Sequence, residues 1–155
     1  AEKITRDYEK TADPEVICLV TLKGAVFFAA DLIRKLRIPV KVDFIRLSSY
    51  GSGMQSSGVI QVIKDMETPV RGKNVLILDE IVDTGNTIAF LLDKIASQNP
   101  ESVRVATLLS KLSRRQVSVP VDYCGQEVED KFLVGYGLDF NEKYRSLKDI
   151  FWIGQ

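Results

Sequence analysis

Four consecutive apolar residues, Val75–Leu78, stand between the turn-type stretch Arg71-Gly72-Lys73-Asn74 and two carboxylates, Asp79 and Glu80. A run with no polar alternation reads as a strand covered on both faces, which is the habit of parallel sheets flanked by helices. Val16–Thr21 repeats the signature. Between the two runs, Ala25–Leu36 carries Phe28, Leu32 and Leu36 at helical spacing and is followed by Pro39. Val40–Ser48 and Val59–Ile63 alternate as strands do. Asn86–Ser97 places Ile88, Leu91, Leu92 and Ile95 on one helical side, and Val103–Leu109 and Val119–Tyr123 read as further strands. The succession predicts an α/β fold: a mostly parallel central sheet flanked by helices, with one antiparallel insertion. No repeat, linker or low-complexity tract divides residues 1–155, so a single domain is expected, as the length of 155 residues also suggests.

Composition removes several function classes. Lys and Arg number 21 and Asp and Glu 21, a net charge of zero, which argues against nucleic-acid binding through bulk charge. No apolar run approaches the roughly 20 residues of a membrane span, and no signal-peptide pattern opens the chain. The two cysteines, Cys18 and Cys124, cannot build a disulfide framework; they read as reduced thiols of a cytoplasmic protein. There is no histidine. Ser-His-Asp and Cys-His catalysis are thereby excluded, and acid–base work falls to Asp, Glu, Lys or Tyr.

The stretch Val75–Thr87 carries the chemistry. A buried strand leads into Asp79 and Glu80, then Asp83, then a Thr84-Gly85-Asn86-Thr87 turn that opens a helix. Ligands of open α/β sheets bind at the carboxyl ends of the strands. A helix start offers free amide donors and the positive end of its dipole, a seat for phosphate. Thr84 and Thr87 add hydroxyls, and Gly85 allows close backbone approach. Asp79 and Glu80 suit either a ribose diol or a hydrated Mg²⁺. A ribose 5-phosphate ligand is the expectation. Asp83 or Thr84 taken singly reads as a helix cap; two adjacent carboxylates ahead of D-T-G-N-T are harder to explain by capping alone. Two other stretches stand out: the glycine-rich Ser48–Gly58, which reads as a mobile lid, and the basic cluster Lys111, Arg114 and Arg115.

Val75–Thr87 resembles the phosphoribosyl-pyrophosphate signature of the type I phosphoribosyltransferases. Leu22-Lys23-Gly24, Arg46–Gly51, Lys111–Arg115 and Asp130–Asp139 narrow the resemblance to the hypoxanthine(-guanine) branch, across nearly the whole chain. The resemblance implies the type I fold with a flexible loop at Ser49 and Tyr50 and a small hood. It implies transfer of the 5-phosphoribosyl group to hypoxanthine, and to guanine, with loss of pyrophosphate. Asp79, Glu80 and Asp83–Thr87 are then the ribose 5-phosphate site. Lys23, Gly24 and Arg145 bind pyrophosphate, with a cis peptide before Lys23. Lys111, Phe132, Leu133 and Asp139 bind the purine: Lys111 donates to its 6-oxo group and Phe132 stacks on its face. Asp83 acts as general base, and Mg²⁺ is the cofactor, held by Asp79, Glu80 and Asp139. A homodimer or homotetramer is implied, with contacts near the Lys23 loop.

Members of the branch carry a further strand and helix ahead of the segment resembling Ile4–Tyr8. With Ala1 so close to that segment, the hood is either naturally short or lacks its natural beginning. The competing function is a phosphoribosyltransferase-fold regulator that binds nucleotide and contacts RNA or DNA through Lys111, Arg114 and Arg115. Asp79, Glu80 and Asp83 together favour catalysis over that reading and over a purely structural subunit. Phe151-Trp152-Ile153 reads equally as a last strand or a contact patch.

Overall fold

A computed structural model describes residues 1–49 and 60–154. Helix α1 (Glu2–Glu9) precedes β1 (Val16–Leu22), α2 (Val26–Ile33), β2 (Val40–Ser49), β3 (Ile60–Lys64), β4 (Asn74–Val82), α3 (Asn86–Ala96) and β5 (Ser102–Ser110). A 3₁₀ turn (Leu112–Arg114) and β6 (Tyr123–Glu127), β7 (Phe132–Val134) and β8 (Phe151–Ile153) follow. The six-stranded sheet runs β3-β2-β1-β4-β5-β6. Its pairs are parallel except β2–β3, the expected antiparallel insertion. Strand order turns about between β1 and β4, and at such a switch point the carboxyl ends diverge into a crevice.

The apolar runs alternate between two cores. Val16, Cys18 and Val20 of β1 and Leu76 and Leu78 of β4 pack with Ile4 and Tyr8 of α1 and Ala29 of α2. Ile17, Leu19, Val75 and Ile77 face the other way, against Ile88, Leu91 and Ile95 of α3. Each of these side chains is at most 3% exposed. At about 25 cal/mol per Å² of apolar area, such burial is what holds the sheet between its helices. Cys18 is one of these core side chains, as its sequence context suggests, whereas Cys124 is exposed on β6.

Several boundaries differ from expectation. Strand β4 does not stop at Leu78; it carries Asp79 and Glu80 inside the ladder, with Asp79 opposite Thr107 and Ile81 opposite Leu109. The pairing supplied by β5 outweighs the low strand preference of carboxylates. The strand expected over Val119–Tyr123 begins instead at Tyr123. Pro120 has no amide to give a ladder, so Val119 and Val121 serve as packing against the α3-side core. Helix α2 ends at Ile33 rather than Leu36 because the chain turns toward Pro39. Residues 2–9, which carry no helix assignment in the sequence reading, form α1 by burying Ile4 and Tyr8 four residues apart. Phe151–Ile153 is a strand, but of a separate two-stranded antiparallel sheet with β7.

Candidate active site

The crevice opens at the ends of β1 and β4. Asp79, 7% exposed, accepts a 2.5 Å hydrogen bond from the Thr21 hydroxyl at the end of β1. Successive strand residues point to opposite faces, yet both Asp79 and Glu80 reach one cleft of about 230 Å³, lined also by Leu22, Ser48 and Thr87. Loss of water pushes the carboxyl of Asp79 above its ordinary range, against the hydrogen bond from Thr21. Glu80 is pushed well up, first by burial and then by the charge of Asp79 beside it; the Arg145 cation only partly offsets this. Two desolvated, mutually repelling carboxylates suit a ligand that brings hydroxyl donors or a cation.

Beyond β4 the chain turns through Asp83-Thr84-Gly85 into α3. Gly85 has φ +91°, and a Cβ there would stand 2.5 Å from the Val117 carbonyl, so only glycine fits both the conformation and the space. The Thr84 carbonyl accepts from the Gln116 and Val117 amides at 2.9 and 3.1 Å, which fixes the turn from outside. Thr84 Oγ1 accepts from the Asn86 amide at 3.4 Å. Hydrogen bonds among the described residues leave the Thr87 and Ile88 amides unused, as expected of a first helical turn. These free donors and the positive end of the helix dipole are what an anion seat requires, and Thr87 lines the same cleft as Asp79 and Glu80.

A second cleft of about 220 Å³ adjoins the first through Glu80 and Ile81. Asp83, Lys111, Phe132, Leu133, Leu138 and Asp139 complete its walls. Lys111 is only 8% exposed; its amide donates to the Val82 carbonyl at 3.0 Å, and its ammonium lies 3.5 Å from Asp130. With only this long contact to Asp130, the buried ammonium has donors left for an acceptor in the cleft. Phe132 is half exposed and meets Phe140 edge-on, with centroids 5.5 Å apart, so a ring face stays open to a planar ligand.

The basic cluster is not the free surface that its sequence suggests. Arg114 donates through Nε to Asp83 Oδ1 at 2.9 Å and lies 3.4 Å from Asp130. Arg115 turns inward and donates to Ser110 Oγ at 2.8 Å. The 3₁₀ turn at the end of β5 folds both guanidinium groups back toward the strand ends, Arg114 onto carboxylates and Arg115 onto the Ser110 hydroxyl and the Val82 carbonyl.

The Leu22–Lys23 peptide is cis. Gly24 lies where a Cβ would collide with the Glu80 side chain, and Gly137, at φ +104°, lies where a Cβ would collide with the Gly24 carbonyl. This contact holds the segment after β7 against the loop after β1. Arg145 is thereby brought in: its Nη1 donates to the Gly137 carbonyl at 2.8 Å, and its Nη2 pairs with Asp139 at 2.8 Å. Arg145 Nε is buried and unbonded among the described residues. Lys23 pairs with Glu142 at 2.8 Å, and Glu142 also lies 3.4 Å from Arg145.

The expected three-carboxylate metal set does not assemble. Among the described residues no three His, Cys, Asp or Glu side chains converge as a metal-holding group. Asp139 is taken up by Arg145 and by the Glu142 amide at 2.8 Å. Of the expected lid, Ser49 ends β2 opposite Ile60, and Tyr50 lies outside the described residues. Thr21, Asp130, Ile81, Leu138 and Glu142 were not legible as site residues. Their places depend on which strand ends meet.

The phosphoribosyl transferase domain model matches residues 1–141. The chain is 41% identical over 145 residues to the hypoxanthine phosphoribosyltransferase of Salmonella typhimurium, covering 94% of this chain and 81% of that protein. Among solved structures, a hypoxanthine-guanine phosphoribosyltransferase from Bacillus anthracis superposes with a TM-score of 0.91 at 39% identity, covering 99% of this chain and 88% of that one. The Trypanosoma cruzi hypoxanthine phosphoribosyltransferase in complex with its product IMP superposes at 0.90 with 34% identity, covering 97% and 83%. With a crevice at the switch point and a family match over most of its length, the chain belongs to the phosphoribosyl transferase family.

Proposed function

We propose that the protein transfers the 5-phosphoribosyl group of phosphoribosyl pyrophosphate to hypoxanthine, and to guanine, giving the nucleoside 5′-monophosphate and pyrophosphate in purine salvage. Similarity to named hypoxanthine(-guanine) phosphoribosyltransferases over 94% or more of the chain supports this. The observation that carries the base preference is the buried Lys111 ammonium in the cleft beside Asp83. Having only donors, it favours a 6-oxo group and opposes a 6-amino group.

In this reading the 5′-phosphate sits on the turn Asp83–Thr87, and Asp79 and Glu80 accept from the ribose hydroxyls. Phe132 stacks on the purine, and backbone groups near Leu133 and Asp139 meet its edge. Asp83 takes the proton from the purine ring nitrogen as that nitrogen bonds to the anomeric carbon and the bond to the pyrophosphate oxygen breaks. Among the described residues the Arg114 hydrogen bond engages Oδ1 of Asp83, which leaves Oδ2 for the proton. Lys23 and Arg145 receive the departing pyrophosphate. Asp79 and Glu80, desolvated and only partly compensated by Thr21 and Arg145, fit a partly hydrated Mg²⁺, which would supply charge neutralisation to the pyrophosphate. A homodimer or homotetramer is supported by the exposed Val26 and Phe27 of α2, next to the Lys23 loop. No helix among the described residues is long and apolar enough to cross a membrane. The nucleic-acid regulator has little support, since Arg114 and Arg115 are engaged within the fold.

A coupled assay with phosphoribosyl pyrophosphate, Mg²⁺ and each purine base tests the proposal. Pyrophosphate release with hypoxanthine and guanine, and little with adenine, is expected. No release with any base, or equal rates with adenine, refutes it.

A further inference from the structure

Glu142 has no role in the transfer described above, yet it touches both cations assigned to pyrophosphate. Its Oε2 lies 2.8 Å from Lys23 Nζ and its Oε1 lies 3.4 Å from Arg145 Nη2. The residue is set in place by its backbone: φ is +63°, and its amide donates to Asp139 at 2.8 Å. Asp139 in turn pairs with Arg145, so a chain of alternating charge runs Lys23, Glu142, Arg145, Asp139. One carboxylate spanning two cations from separate segments occupies the position that an anion bridging them would take.

We propose that Glu142 is an internal anion that holds the pyrophosphate site in the ligand-free protein, and that pyrophosphate binds by displacing it. The inference rests on the pyrophosphate assignment of Lys23 and Arg145 made above. The contacts suit a placeholder. The Glu142 and Lys23 side chains are 62% and 46% exposed, so solvent screens the pair and a multiply charged ligand can replace it. Its occupancy also keeps the two cations from diverging by mutual repulsion, so the site is gathered before substrate arrives. The same carboxylate lowers affinity for the leaving group, which favours release of pyrophosphate after transfer.

The test is titration of the whole protein with inorganic pyrophosphate in Mg²⁺ buffer. Glu142→Gln keeps the backbone hydrogen bond to Asp139 and removes only the charge. It is expected to bind pyrophosphate about three- to tenfold more tightly, the range of one or two exposed ion pairs. In the forward assay, inhibition by added pyrophosphate should tighten by the same factor, while the KM for hypoxanthine stays unchanged. Glu67→Gln removes an equal charge at a remote exposed pair with Lys64 and should change neither. Unchanged or weaker binding by Glu142→Gln, or equal tightening by Glu67→Gln, overturns the inference. Lys23→Gln separates the two levels: it should weaken pyrophosphate binding. If it does, failure of Glu142→Gln sinks only the placeholder role; if it does not, the pyrophosphate site itself is misassigned and the inference falls with it.

Discussion

Replacing Lys111 by Met should abolish the choice between oxo and amino purines while leaving the fold in place. The Lys111 side chain is 10% exposed, and its methylene stem is packed at the end of β5, which Met can reproduce. What is lost is one ammonium donor in a partly dry cleft. A hydrogen bond from a charged donor contributes about 1.5–3 kcal/mol, and about 1.4 kcal/mol is a factor of ten. The kcat/KM for hypoxanthine should therefore fall by about 10- to 100-fold. Adenine gains nothing from the ammonium in the native site, so its kcat/KM should hold or rise, and the ratio of the two should drop by at least that factor. The partner Asp130 is half exposed and keeps Arg114 3.4 Å away, so losing the 3.5 Å pair with Lys111 costs at most about 1 kcal/mol and a few degrees in Tm. Steady-state kinetics with each base at saturating phosphoribosyl pyrophosphate reads the ratio. An equal loss for both bases would show that Lys111 supports the cleft without meeting the 6-position, and the specificity argument would fail.

Two further outcomes are expected. Asp83→Asn should lower kcat by about 100-fold or more, the usual scale for removing a general base, with little change in the KM for phosphoribosyl pyrophosphate; unaltered turnover would remove Asp83 from that role. Glu80→Gln should stabilise the ligand-free protein in a pH-dependent way. Burial, with Asp79 beside it, raises the folded-state pKa of Glu80 above its ordinary 4.5, so the folded protein holds a proton that the unfolded chain has released. Wild-type stability is thus lost as pH rises from about 4.5 through the raised value, and the Gln variant escapes that loss. Its Tm advantage should be larger at pH 8 than at pH 4.5; an advantage that is absent or independent of pH would contradict the burial argument.

Much of the site lay in one continuous stretch and was readable for that reason. Asp79 through Thr87 are contiguous, and a strand, an acidic pair and a glycine turn into a helix have local physical meanings that need no neighbour. Arg114 was the opposite case. As sequence it is one more charge in a basic cluster, and only the 3₁₀ turn that swings it to Asp83 shows that it is paired with carboxylates of the same chain. Asp139 was expected to join Asp79 and Glu80 around a cation; Arg145, six residues further on, takes its carboxylate instead. The boundary at Val119–Tyr123 misled because β-branched residues promise a strand while Pro120 withholds the amide that a ladder needs.

By itself the amino-acid order determined the layered α/β arrangement, since runs such as Val16–Val20 and Val75–Leu78 have no stable place except between two covered faces. It also determined the chemistry on offer: carboxylates and lysines in place of histidine, and free amide donors at the start of α3. The tertiary structure alone decided which of these groups meet. Strand order placed Thr21 against Asp79, and the close approach of Gly137 to Gly24 brought Arg145 and Glu142 to Lys23, more than 100 residues away in the chain. Such pairings come from the packing of distant segments, and no local spacing records them.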